Sequence, residues 1–133
     1  MKKFIKIIYL VILTFPLLFL NLAKASEKLK IGILAPMTGP NKNLGQSIIK
    51  SIRLAVKDIN SNLIEVIPKD TSSSPEKTLE SANELKEMGV RIVIGPIFYE
   101  NLIYLDEIDD LTFLSLTNKK VRSSISYKYI KFS

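Results

Sequence analysis

The sequence predicts an α/β fold, a three-layer β-α-β arrangement with helices on the faces of a parallel sheet. Three observations carry this. Short apolar, β-branched runs recur at Leu29–Ala35 (LKIGILA), Leu63–Ile67 (LIEVI) and Arg91–Ile94 (RIVI). Each meets a proline directly or after one glycine, at Pro36, Pro68 and Pro96. Proline cannot donate into a ladder, so it is expected to mark each strand end. The prolines are 32 and 28 residues apart, about one strand-helix repeat, and helical periodicity fills the gaps.

The elements follow in order. Lys2, Lys3 and Lys6 precede Ile7–Leu22, sixteen almost wholly apolar residues, and Ala23-Lys24-Ala25 has the small-x-small pattern. Residues 1–25 therefore read as a secretory signal cut after Ala25. The run contains Pro16 and is short for the roughly 20 residues that span a bilayer. After the first strand, Gly45–Asn60 places Ile48, Ile49, Ile52, Ala55, Val56 and Ile59 at helical spacing, with Lys50, Arg53 and Lys57 opposite. Pro75–Met88 forms a second helix with Leu79, Ala82 and Leu85 inward. Ser73 or Ser74 caps its start, and Gly89 stands where it would end. A third, weaker helix is expected over Glu100–Asp110, with Leu102, Leu105 and Ile108 inward, and a fourth strand over Thr112–Leu116. The last residues, 119–133, hold five basic residues and no acid, and ISYKYIKF alternates as a final strand would.

Composition excludes several functions. The whole chain is at +6, but four of its 19 basic residues and none of its 13 acids lie in the signal, which leaves fifteen against thirteen, or +2. No nucleic-acid footprint survives. The chain has no Cys and no His. That removes disulfides, thiol nucleophiles, Cys or His metal sites, the Ser-His-Asp arrangement and lipid attachment at a cleavage-point Cys. A soluble exported product of one domain is the simplest outcome.

The β-α-β-α-β-α-β order implies right-handed crossovers and strands that all point one way. Their ends then share one edge, where open α/β sheets bind ligands. Met37–Leu44 sits on that edge with Lys69–Ser74, Ile97–Glu100 and Thr117–Lys119. The segment GPNKNLGQ matches no phosphate-loop pattern. Gly39 and Gly45 allow tight turns, and a helix starting at Gly45 would offer free N–H groups to an anion. At about eight residues this loop exceeds a plain two-to-six-residue βα turn. It is either a connection or a ligand surface. The run from Asp70 to Ser74 is either ligand-binding or turn and cap chemistry. Asp106, Glu107, Asp109 and Asp110 read as a solvated helix face without calcium-loop spacing. Nothing pairs a nucleophile with a base. A non-enzyme without cofactor or metal is expected.

The stretch IGILAPMTGPNKNLGQSIIKSIRLAVKDIN resembles the first strand, loop and helix of type 1 periplasmic binding proteins of the leucine-binding-protein-like class. IEVIPKDTSSSPEKTLESANELKEMGVRIVIGPIF and TFLSLTN continue the likeness, which covers about Leu29 to Asn118. It implies one lobe, residues 26–118, of a two-lobed Venus-flytrap protein that closes on an amino-acid-like solute and presents it to an ABC importer. The second lobe has no counterpart here, so a gene fragment, a truncated product or a half-domain is implied. In amino-acid binders of this class a small hydroxyl residue follows the third-strand Gly, where this chain has Tyr99. A small-small-Thr stretch follows the fourth strand, where it has Thr117-Asn118-Lys119. IPKDT, IGPIF and LSLTN look more like a subgroup described as penicillin-binding-protein activators, which contact a peptidoglycan synthase. The ligand-lining residues expected are Thr38, Gly39, Pro40, Asn43, Asp70, Pro96, Tyr99, Thr117 and Asn118. Pro40 and Pro96 would shape backbone, the polar residues would hydrogen-bond, and Tyr99 would stack or cap.

Overall fold

The computed structural model describes residue 1, residues 3–6 and residues 28–117. Most of the expected signal segment, the expected final strand and Asn118 lie outside the described residues. Four strands, β1 (Leu29–Ala35), β2 (Ile64–Asp70), β3 (Ile92–Ile94) and β4 (Thr112–Leu114), form one sheet in the order β2-β1-β3-β4. All three pairings are parallel, as expected.

β2 runs three residues past its expected end, straight through Pro68. It is an edge strand with β1 as its sole partner in the sheet. Thr71 N–H donates to the Ala35 carbonyl at 3.0 Å. Alternation therefore turns the odd-numbered amides toward β1 and the even ones away, so the ladder loses no bond at Pro68.

Side-chain alternation along β1 divides the core. Ile33 and Ala35 face helix α1 (Lys42–Ile59) and pack with Ile49, Ile52, Val66 and Ile97. Gly32 and Leu34 face helix α2 (Pro75–Glu87) and the larger cluster of Ala82, Leu85, Val90, Val93, Leu102, Leu105, Ile108, Leu111 and Phe113. Gly32 sits mid-row between Ile67 and Val93. A Cβ there would lie 2.7 Å from Leu85 Cδ1, so the bare backbone is what lets Leu85 descend onto the sheet. α1 buries less than its sequence promised: Ile49 is covered, while Ala55 is exposed and Ile59 is 62% exposed.

α2 begins as expected. Ser74 Oγ accepts the Lys77 N–H at 3.3 Å and Pro75 occupies the first turn. The expected third helix is instead two short 3-10 turns, Tyr99–Leu102 and Leu105–Glu107. The inward residues are those expected, and Leu102, Leu105, Ile108 and Leu111 are all buried. Their strict spacing of three matches the three-residue 3-10 turn rather than the 3.6 of an α-helix. Asp106, Glu107, Asp109 and Asp110 are exposed.

Candidate functional site

Parallel pairing brings the segments that follow the strands to one rim. β1 leads into Pro36–Asn41 and β2 into Thr71–Ser74. β3 and β4 lead into Gly95–Phe98 and Ser115–Thr117.

Asp70, the last residue of β2, ties the first two loops together. Its Oδ1 accepts the backbone N–H of Met37 at 2.7 Å, of Thr38 at 3.3 Å and of Ser72 at 2.8 Å. Its Oδ2 accepts the hydroxyls of Thr38 at 2.6 Å and Ser72 at 3.0 Å. Those two hydroxyl oxygens are 2.8 Å apart. Two protons thus serve three short contacts, and either hydroxyl can turn from the carboxylate to its neighbour. Partial burial pushes the Asp70 pKa up, but the hydrogen bonds from Thr38, Met37 and Ser72 outweigh it and hold the carboxyl well below the usual carboxylate range.

Ser72 and Ser73 both adopt positive φ, 48° and 58°, which few non-glycine residues do. The Asp70–Ser72 bond closes an Asx turn at the entry to this pair. Ser73 Oγ accepts from Asn41 Nδ2 at 3.1 Å. Below the loop, Ser81 Oγ donates to the Asp70 carbonyl at 2.8 Å and Thr78 Oγ1 to the Ser74 carbonyl at 2.7 Å. The loop is thereby seated on α2. Sequence reasoning marked this run as polar but missed Asn41 and Ser72 as individual members. The Asp-x-Ser spacing was the available signal.

The first loop is shorter than expected. α1 starts at Lys42, so the connection is Pro36–Asn41, an ordinary length for a βα turn. Length no longer singles this loop out. Gly45 lies within the helix, and its N–H donates to the Asn41 carbonyl at 3.2 Å, so it is not a free anion donor. Its role is steric. A Cβ at Gly45 would stand 1.9 Å from the Pro36 carbonyl oxygen, so only glycine lets the helix cross the end of β1 this closely.

The remaining expected residues fall as follows. Thr38, Gly39, Pro40 and Asn43 are exposed on the first loop and first helical turn. Pro96 is buried behind a cis Gly95-Pro96 bond, and its carbonyl accepts the Leu116 N–H at 3.3 Å, lacing the β3 and β4 exits together. Thr117 is buried, with its N–H on Ser115 Oγ at 3.3 Å. The Tyr99 ring is half-buried against the core cluster on the α2 side. The structure therefore joins Thr38 to Asp70 and Pro96 to the β4 exit.

Comparison with known proteins fits this geometry. A family model described as periplasmic binding protein matches residues 28–102, more than half of the chain. The Leu/Ile/Val-binding protein BraC3 of Rhizobium johnstonii is 30% identical over 81 residues, covering 55% of this chain and 22% of that protein. Among solved structures, an ABC-transporter solute-binding protein of Rhodopseudomonas palustris in complex with 3,4-dihydroxybenzoic acid aligns with a TM-score of 0.68 at 23% identity, over 78% of this chain and 31% of that one. The C-domain of LpoA from Haemophilus influenzae, a regulator of PBP1A, aligns at 0.61 and 22% identity, over 77% and 32%. The chain spans less than a third of the length of each.

Proposed function

The chain belongs to the periplasmic binding protein family, and from that membership we propose that it is a non-catalytic, extracytoplasmic ligand-binding lobe. In this reading a signal cut after Ala25 releases it into the periplasm. Residues 26–118 make the lobe, and its rim takes a small amino-acid-like solute for an ABC importer. The observation that carries the reading is the rim itself, four strand exits on one edge with two of their loops fastened through Asp70. A rim held in place by five hydrogen bonds to one carboxylate needs little ordering when a ligand arrives, which favours binding. Thr38, Gly39, Pro40 and Asn43 form one side of the proposed contact surface. On the other side Pro96 and Thr117 are buried and would support the surface from below, partly exposed Tyr99 would edge it, and Asn118, outside the described residues, remains an expected contact. Asp70 acts mainly by holding the first loop, since its own acceptor sites are filled from within the chain. One lobe supplies one wall of a cleft, so weak affinity is expected.

Thermal unfolding of the mature chain tests this. Leucine, isoleucine, valine, other amino acids and a benzoate series are added one at a time. A saturable rise in Tm with one of them supports the proposal through binding linkage, and a flat response across the panel with a cooperative transition refutes it.

A second reading has its own support. The side chains of Thr38, Asp70 and Ser72 bind one another, which suits a shaped protein-contact surface as well as a small-molecule site. By analogy with the LpoA C-domain, the partner would be a peptidoglycan synthase. Pull-down of such a synthase by the mature chain, lost on Thr38→Arg, separates this reading from the first.

A further inference from the structure

At the end of the sheet opposite the loop rim, β1 and β3 begin with two cations side by side. Stepping the register back one residue from Ile31–Ile92 sets Lys30 beside Arg91, on the face that carries Gly32 and Val93. Neighbouring like charges repel. Glu65 is the register partner of Lys30 on β2. The salt bridges among the described residues, however, are Lys69–Glu84, Lys77–Glu80 and Lys86–Asp110, and none of them neutralises Lys30 or Arg91. Lys30 Nζ turns instead to the Met88 carbonyl at 2.7 Å, just past the end of α2. That bond fixes the ammonium over Gly89, where a Cβ would lie 3.9 Å from it.

Around this pair lies an open pocket of about 280 Å³, lined by Lys28, Leu29, Lys30, Gly89 and Arg91. Among the described residues its lining holds three cations and no carboxylate. Its size sits at the lower edge of small-ligand pockets, about 300 Å³ and up. α1 also ends here, and Arg53 and Lys57 line a second hollow. Asp58, Glu87 and Asp109 on adjoining turns, and Glu65 on β2, line neither. The pocket lining therefore favours anions.

We propose that this pocket binds a phosphate-class oxyanion, with Arg91 as the forked donor and Lys30 as the fixed point charge. Two adjacent cations that no salt bridge among the described residues engages favour a dianion, which phosphate supplies near neutral pH and a single carboxylate does not. The proposal rests on Lys30 and Arg91, not on Lys28, whose neighbour Glu27 lies outside the described residues. It is independent of the solute reading, because the pocket is at the other end of the strands.

The test is an amide-shift titration of the isotope-labelled mature chain with inorganic phosphate at constant ionic strength. Saturable shifts centred on Gly89 and Arg91 are expected, with the Thr38 and Ser72 amides unmoved. Arg91→Gln should weaken binding about tenfold, with Arg91→Lys between it and the parent, as loss of one charge-assisted contact requires. Linear shifts that are equal in parent and Arg91→Gln, or shifts centred elsewhere, would overturn the proposal. Co-sedimentation with phosphatidic acid vesicles but not phosphatidylcholine vesicles, competed by phosphate, would assign the oxyanion to a lipid phosphomonoester. Phosphate binding without vesicle binding would assign it to a free phosphate ester.

Discussion

Asp70→Ala is the most informative single change. It removes one carboxylate that accepts from Met37, Thr38 and Ser72 through five hydrogen bonds. Bonds of this kind contribute about 1 kcal/mol net, more when the acceptor is charged. A carboxylate has about four lone-pair sites, however, so the five are not independent. The donors also lie at the surface, where water replaces part of the loss. A destabilisation of about 2–3 kcal/mol follows, which lowers the Tm of a lobe of about 100 residues by roughly 10–15 °C. Circular dichroism melts of the mature chain at pH 7 measure it.

The pH dependence is a sharper check. Because the folded carboxyl is harder to protonate than the unfolded one, its stabilisation is complete above the ordinary aspartate pKa of about 3.9. It then declines as pH falls toward the lowered folded value. Each pH unit in that window removes at most about 1.4 kcal/mol, and less for so accessible a group. Every other carboxyl is common to parent and variant and cancels in the difference. The gap between them should therefore narrow from pH 4 to pH 2.5. A Tm deficit below about 3 °C at pH 7, or a gap that stays constant with pH, would refute the view that this carboxylate fastens the loops.

Three further outcomes are expected. Gly45→Ala should cost about 3 kcal/mol or more in urea unfolding, since the new methyl meets the Pro36 carbonyl and backbone rather than a movable side chain. Ser74→Ala should cost about 1 kcal/mol by the same measurement, through loss of the cap on the Lys77 N–H, with the native fold retained. Leu85→Ala, which empties the seat above Gly32 in the main cluster, should cost about 2–5 kcal/mol, and a value under 1 would show that α2 does not pack there as described.

The alternation of β-branched runs with amphipathic stretches was enough to read the parallel sheet, because buried parallel strands and their crossover helices leave different periodicities in one dimension. The third helix was misread for the same reason. Leu102, Leu105 and Ile108 face inward in either geometry, and only their strict threefold spacing separates a 3-10 turn from an α-helix. Pro68 misled because a proline ends a central strand but not an outer one. β2 proved to be outer only once the order β2-β1-β3-β4 was known. At the rim, the polar loops were legible as turn chemistry. The closure of Thr38 and Ser72 on Asp70 was not, because Thr38 and Asp70 are 32 positions apart and periodicity carries no information about distant partners.

The sequence alone determined the order of the four strands and first two helices, the inward residues of α2 and of Leu102–Ile108, the Ser74 cap and the shared edge, since each depends on residues a few positions apart. Tertiary structure decided the outer position of β2, the close crossing at Gly45, the fastening through Asp70 and the pairing of Lys30 with Arg91. Each of these depends on which distant backbones pack together, and that follows from how the sheet as a whole buries its apolar faces.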